Sequence, residues 1–287
     1  MKYVLITGAN SYIGESFKEW AEKRYTDEFV IDVVDMLDED WSEKDFSGYD
    51  VIFHVAGIVH QKETKENAKL YYQVNRDLAI AVAKKAKKSK VKQFILLSSM
   101  SVYGKNEGVI TKETIENPQS NYGKSKFQAD NRIKKMNNVN FKVVILRPPV
   151  IYGRGCKGNY VLLSSLARKL RVFPNIKNKR SMLYIDNLSE YICLLIKNEE
   201  SGMFFPQNES YVQTCQMVRM IAEARGKKLR LCSILNPFVK LLGVLPGKLG
   251  DMEKKAFGNL IYEKELSKYK DNYCLANLEE SIRLSER

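Results

Sequence analysis

Residues 7–14 read Thr7-Gly8-Ala9-Asn10-Ser11-Tyr12-Ile13-Gly14, directly after the apolar run that begins at Lys2. A buried strand over Lys2–Thr7 thus enters a glycine turn, and a helix is expected from Tyr12 to Arg24. Strand, turn and helix N-terminus together make a site for a dinucleotide pyrophosphate. The turn lets backbone N–H groups face the phosphates, and the helix dipole favours their charge. Gly8, Ser11, Tyr12, Ile13 and Gly14 are placed at the cofactor on this reading. The spacing is Gly-x-x-Ser-x-x-Gly where Gly-x-x-Gly-x-x-Gly is expected, so Ser11 brings a Cβ where backbone should approach phosphate. Its hydroxyl can bond a phosphate oxygen instead. The plainer alternative is a glycine turn that merely begins a helix.

Outward from this turn, strands and helices alternate. Further strands are expected at Phe29–Val34, Val51–Val55, Phe94–Ser98 and Phe141–Leu146. Helices are expected at Glu66–Lys88 and Tyr122–Met136. Short, continuously apolar strands alternating with helices imply a parallel sheet covered on both faces. The fold class is therefore α/β, a Rossmann doubly wound parallel sheet. After Pro148-Pro149 the chain becomes richer in glycine and aromatics, with helices at Val161–Leu170 and Leu188–Lys197. Residues 1–152 are read as the cofactor domain and 153–287 as a smaller, mainly helical substrate domain. The stretch near 176–198, around Leu183–Ile185, is expected to return to the sheet.

The 287 residues suffice for one large or two joined domains. Hydrophobic content of 44% and charged content of 28% suit a soluble globular chain. No apolar run reaches the roughly 18 residues of a membrane span, and the N-terminal strand is too short for a signal peptide. The cysteines at 156, 193, 215, 232 and 274 show neither pairing nor metal-ligand spacing, which points to reduced thiols in the cytoplasm and to no metal. Net charge is +13. That excess can attract an anionic partner or simply solvate helix faces, as at Lys84–Lys88. No nucleic-acid motif accompanies it. Residues 231–250 are apolar and flanked by lysines. Prolines and glycines interrupt them, so they are read as a substrate-domain helix with loops, membrane-surface association being the alternative.

Chemistry-bearing residues gather at the expected strand ends. Asp35 closes the second strand 27 residues after Gly8. A carboxylate there accepts hydrogen bonds from ribose hydroxyls and repels a 2′-phosphate, which favours NAD. Asp32 is its rival, and Asp40-Trp41 are placed near the adenine, with packing as the alternative for Trp41. The third strand ends in His54-Val55-Ala56-Gly57, whose small residues admit a flat cofactor. His54 is read as structural, and His60 is left without a role. Ser98 and Ser99 end the fourth strand, where hydroxyls can bond a substrate oxygen. Tyr122 and Lys126 are four residues apart, one turn along one helix face. An ammonium beside a phenol lowers the phenol's pKa and fits it for proton transfer.

The whole set resembles the extended short-chain dehydrogenase/reductases, specifically the NAD-dependent epimerase/dehydratase family. The resemblance spans nearly the whole chain and rests on TGANSYIG, HVAG, Val74-Asn75, SSMSVYG, YGKSK, Arg147-Pro-Pro-Val-Ile-Tyr-Gly153 and Arg180-Ser-Met-Leu-Tyr-Ile-Asp186. It looks closest to UDP-sugar 4-epimerases and 4-keto-sugar reductases of surface-polysaccharide pathways. The resemblance implies that Ser99, Tyr122 and Lys126 are catalytic. It sets Ser98, Asn75, Ala56 and Pro148 against the cofactor, Arg180 on the nucleotide diphosphate and Asn159 in a substrate loop. Three departures stand out: Ser11 for glycine, Val150 where many relatives carry asparagine, and Met100-Ser101 after Ser99 where dehydrating relatives carry Asp-Glu. Dehydration and decarboxylation are thereby disfavoured. The expected activity is epimerisation at C4 of a nucleotide-activated hexose. Reduction of a UDP-4-keto-6-deoxy sugar and a non-catalytic NAD-binding sensor are the alternatives. The long helices match those that join the family's homodimers.

Overall fold

The computed structural model describes residues 1–59, 63–244 and 254–287. Six strands form its central sheet: β1 (Lys2–Thr7), β2 (Phe29–Val34), β3 (Val51–His54), β4 (Gln93–Leu97), β6 (Lys142–Leu146) and β10 (Gly202–Phe204), with the short β5 (Gly108–Ile110) lying outside it. They run in the order β10-β6-β4-β3-β1-β2, and every neighbouring pair is parallel. The apolar runs are continuous because both faces are covered. Alternate residues enter opposite layers: Val4 and Ile6, Ile95 and Leu97, and Val144 and Leu146 enter one core cluster. Leu5, Phe94, Leu96, Val143 and Ile145 enter the other. This is the doubly wound Rossmann-like sheet that the alternation implied.

Helix α1 (Tyr12–Arg24) covers the first face. On the second face lie α2 (Ala68–Tyr72), α3 (Ala79–Lys88) and α4 (Asn121–Lys134). Between α2 and α3 the helix widens into a π turn, Gln73–Leu78, a distortion common where a side chain must be re-aimed. The chain passes from β1 to β2 on one side and returns to β3 on the other. The crevice at the carboxyl ends of β1 and β3 is thus the switch point where such sheets bind ligands.

The rest of the chain builds a cap. It contains β7 (Val150–Tyr152), α5 (Asn159–Lys169), β8 (Val172–Pro174) and β9 (Met182–Tyr184), followed by α6 (Ile185–Lys197), α7 (Thr214–Ala224), β11 (Arg230–Cys232), α8 (Asn236–Val244), β12 (Leu260–Tyr262) and a last helix, Leu278–Ser285. The expected return of Leu183–Ile185 to the central sheet takes a different form. Met182–Tyr184 pairs with β7 in a separate ladder. The return is made by α6, whose Glu190 accepts hydrogen bonds from Trp20 and Tyr25, and by β10 beside β6. Crossing the other way, β5 leaves the first half of the chain to pair with β12. No helix among the described residues is long and apolar enough to cross a membrane.

Candidate active site

The glycine turn is built by local chemistry. Ser11 caps α1, its Oγ accepting the Gly14 N–H at 3.2 Å. Gly8 sits at φ +123°, and a Cβ there would stand 2.7 Å from the Ala56 nitrogen, so glycine is what lets β1 and β3 approach. The Gly8 and Ala9 amides donate to the Val34 carbonyl. Tyr12 and Ile13 open the helix, where amides have no intrahelical acceptor. The Tyr12 hydroxyl is buried without a partner among the described residues, and burial pushes its pKa up. A close-approach glycine, open first-turn amides and an orphaned buried hydroxyl together fit a dinucleotide. Ser11 departs from the expectation in one respect: its oxygen already serves as the cap.

Across the crevice, Ser98 and Ser99 follow the end of β4 at Leu97, while α4 begins one residue before Tyr122. The Glu63 carboxylate accepts the Asn121 and Tyr122 amides at 2.9 and 3.1 Å and, with the Ser120 cap, fixes the start of α4. Lys126 is 4% exposed, and its Nζ donates to the Leu97 carbonyl at 2.9 Å. Burial lowers its pKa from 10.5 to about 8, with Asp130 pulling the other way. Tyr122 corrects the sequence expectation. Its pKa is raised, by burial first and then by Asp130 and Tyr71, with only the Ser99 hydroxyl favouring the phenolate. The ammonium one turn away is spent on Leu97 rather than aimed at the phenol. Ser99 Oγ accepts the Ser101 N–H at 3.1 Å and lies 2.9 Å from Ser101 Oγ.

Behind these groups is a buried network that sequence reasoning missed. Asp130 accepts from Ser98 Oγ at 2.9 Å and from Arg147 Nε at 3.0 Å. Arg147 also donates to Tyr103 and to Glu116, at 3.0 and 2.7 Å, while Tyr262 donates to the Arg147 carbonyl. Burial works against both charges, yet Asp130 and Glu116 outweigh it for Arg147 and hold the guanidinium ionised. One signal was in the sequence: Tyr122, Lys126 and Asp130 recur at helical spacing of four. Asn75 lies in the π turn. It accepts the Ile58 N–H at 2.8 Å and donates to the Ile58 carbonyl at 3.1 Å, bracing the loop after β3.

A cavity of about 730 Å³ opens over this edge. Among its lining residues are Ser11, Tyr12, Ile13, Val55, Gly57, Ser98, Ser99, Tyr122, Lys126, Pro148, Asn159 and Arg180. The other expected residues lie beside or behind it. Gly8, Gly14 and Ala56 shape the turn, and Asn75 supports the loop. Asp35 accepts the Leu37 N–H at 2.9 Å, while its rival Asp32 accepts from Tyr49. Asp40 and Trp41 form a 3-10 turn, and Trp41 packs on the second core cluster. His54 is buried, with Nδ1 2.7 Å from the Thr7 hydroxyl, and burial lowers its pKa to about 3, so it is neutral. His60 lies outside the described residues. Arg180 bridges Val212 and Leu260 and donates to the Gly258 carbonyl at 3.0 Å. The described lining carries Lys105, Lys126, Lys157 and Arg180 but no aspartate or glutamate.

A parallel sheet with a glycine turn at its first strand and a serine–tyrosine–lysine group beside its fourth has the architecture of a dinucleotide-dependent enzyme. A model of the NAD dependent epimerase/dehydratase family matches residues 4–205. UDP-glucose 4-epimerase of Vibrio cholerae is 33% identical over 223 residues, 73% of this chain and 67% of the relative. N-acetyl-alpha-D-glucosaminyl-diphospho-ditrans,octacis-undecaprenol 4-epimerase of Escherichia coli O157:H7 is 27% identical over 273 residues, 89% and 81% of the two chains. The solved structure of UDP-glucuronic acid 4-epimerase from Bacillus cereus in complex with NAD superposes with a TM-score of 0.73 at 15% identity, covering 99% of this chain and 97% of that one. The chain belongs to the NAD-dependent epimerase/dehydratase family, and it is an NAD-dependent enzyme of the epimerase or reductase type.

Proposed function

We propose that this enzyme epimerises C4 of a nucleotide-activated hexose, with a UDP-sugar as substrate. The carrying observation is the cavity itself. Its described lining has four cations and no carboxylate, and includes Ser99, Tyr122 and Lys126. Such a lining suits an anionic nucleotide sugar and offers no acid–base pair for eliminating water. The two 4-epimerases among the relatives support the reading.

The cofactor would be held by Gly8, Ser11, Tyr12, Ile13 and Gly14 at the pyrophosphate, with Asp35 at the adenosine ribose. Asp40 and Trp41 would lie towards the adenine, though the packing of Trp41 leaves it a minor part. Val55, Ala56, Gly57, Asn75, Ser98, Lys126 and Pro148 would line the nicotinamide end. When bound, NAD supplies the acceptor and donor of the C4 hydride. Tyr122, once its own proton has left, takes the C4 hydroxyl proton as the phenolate and returns it, while the Ser99 hydroxyl, oriented by the Ser101 N–H, favours that phenolate and holds the oxygen. Lys126, ammonium below about pH 8, supplies positive charge to this edge from its seat on the Leu97 carbonyl. Arg180 would fork onto the diphosphate with Asn159 nearby. We place the enzyme in the cytoplasm, in keeping with its five free cysteines, and we assign it a homodimer through α2–α3 and α4. Sedimentation as a monomer at micromolar concentration would contradict the dimer.

The test is Tyr122→Phe, assayed against a panel of UDP-sugars with product analysis. Turnover should fall by about 10²–10⁴-fold while NAD binding persists. Unchanged turnover overturns the mechanism. Oxidation of NADH by a 4-keto sugar, without any epimer formed, replaces epimerisation by reduction. NAD binding without turnover of any sugar favours a sensor.

A further inference from the structure

A face of the cap far along the chain from the catalytic motifs combines exposed apolar side chains with lysines and arginines that make no ion pair among the described residues. Strand β11 pairs with β8, matching Arg230 with Val172 and Leu231 with Phe173. Partners across a ladder share a face. Phe173 and Leu231 therefore turn to the core, while Val172 (43% exposed) and Arg230 turn outward together. The chain leaves β11 through a 3-10 turn into α8, exposing Ile234 (78%), Phe238 (67%) and Leu241 (65%) at helical spacing. These segments are fastened together. Asn236 donates to the Asn175 carbonyl at 3.0 Å, and Lys227 donates to the Arg168 carbonyl at 2.8 Å.

Residues 166–179 and 226–241 contain nine lysines and arginines and no aspartate or glutamate. All nine are exposed. A face kept only for solubility would mix charge signs and bury or remove its large aliphatics. Protruding Ile, Phe and Leu on segments whose only charges are cations instead suit a surface that is apolar beneath an anionic layer. Nucleic acid would satisfy the cations but offers no place for Ile234 or Leu241.

We infer that this face docks on an anionic lipid bilayer. Phe238 and Leu241 enter the acyl boundary, and Arg171, Lys228, Arg230 and Lys240 meet the headgroup phosphates. The assignment does not depend on which sugar the active site takes. The full chain is sedimented with vesicles of phosphatidylcholine alone and with about 30% phosphatidylglycerol, in about 0.15 M salt, where surface charge alone is largely screened. Binding is expected on the anionic vesicles. It should fall about 100-fold in Phe238→Ser/Leu241→Ser, since each buried side chain accounts for roughly tenfold or more. Lys228→Glu/Arg230→Glu should lower it at least about tenfold. Both variants change exposed residues, and unchanged circular dichroism and NAD binding confirm their folding. No binding to anionic vesicles overturns the inference. So does binding that survives the loss of Phe238 and Leu241, or that a short RNA competes away completely.

Discussion

Lys126 is expected to weaken the fold it serves. The residue is 4% exposed, and its pKa falls from 10.5 to about 8 because burial disfavours the charge. A cationic group whose folded pKa lies below its unfolded value binds fewer protons when folded, so stability rises with pH between the two values. For Lys126 that window runs from about 8 to 10.5, and below it the whole cost is present. At about 1.4 kcal/mol per pH unit, the gap corresponds to about 3 kcal/mol. Lys126→Met removes this cost, keeps the apolar stem and leaves the Leu97 carbonyl without its donor, a loss of about 1 kcal/mol. The variant should therefore be about 2 kcal/mol more stable than the native chain at pH 7, and inactive. Urea unfolding of both proteins from pH 7 to 10 measures the difference. It should narrow as pH rises past 8, because the native chain gains stability there and the variant does not. A variant no more stable at pH 7, or a difference that ignores pH, would refute the burial of a charged Lys126.

Asp130→Ala takes from the Arg147 guanidinium its only fully buried carboxylate among the described residues, leaving it Tyr103 and the partly exposed Glu116, and should cost about 3–5 kcal/mol in urea unfolding. A loss below about 1 kcal/mol would mean that the pair is not buried as described. Gly57→Ala puts a Cβ 2.9 Å from Asn75 Oδ1 and 3.2 Å from Lys126 Nζ. Calorimetric affinity for NAD should drop at least about tenfold, and an unchanged Kd would place the cofactor elsewhere. His54 stays neutral in the fold down to about pH 3, whereas an unfolded histidine takes its proton near 6.5. The unfolded chain thus binds the extra proton, and stability is lost as pH falls from 6.5 towards 3. His54→Asn should flatten that acid slope, and equal slopes would contradict the assignment.

Much of the sheet was legible because its signal is local. A run such as Val4-Leu5-Ile6 has no solvated face to mark, so it reads as a buried parallel strand, and Gly8 and Gly14 punctuate the turn that follows. Helix α1 falls at the bounds its sequence suggests, because Ser11 caps it with its own side chain. The spacing of Tyr122 and Lys126 placed both on one helix face in the same way. The electrostatics of that pair were not legible. Spacing says that an ammonium is near a phenol, but only packing shows Lys126 turned to the Leu97 carbonyl and burial raising Tyr122.

Local pattern was enough for the class of sheet, the glycine turn and the residue types at each strand end, since these depend on residues close together in the chain. The tertiary structure decided what depends on residues far apart in the chain. It closed Asp130 onto Arg147, widened one helix into a π turn so that Asn75 meets Ile58, and carried β5 across to β12. It also set Val172 beside Arg230, 58 residues on, so that two unremarkable basic stretches became one charged, apolar face. Neither stretch marks that pairing, because ladder register is fixed by which side chains the core accepts.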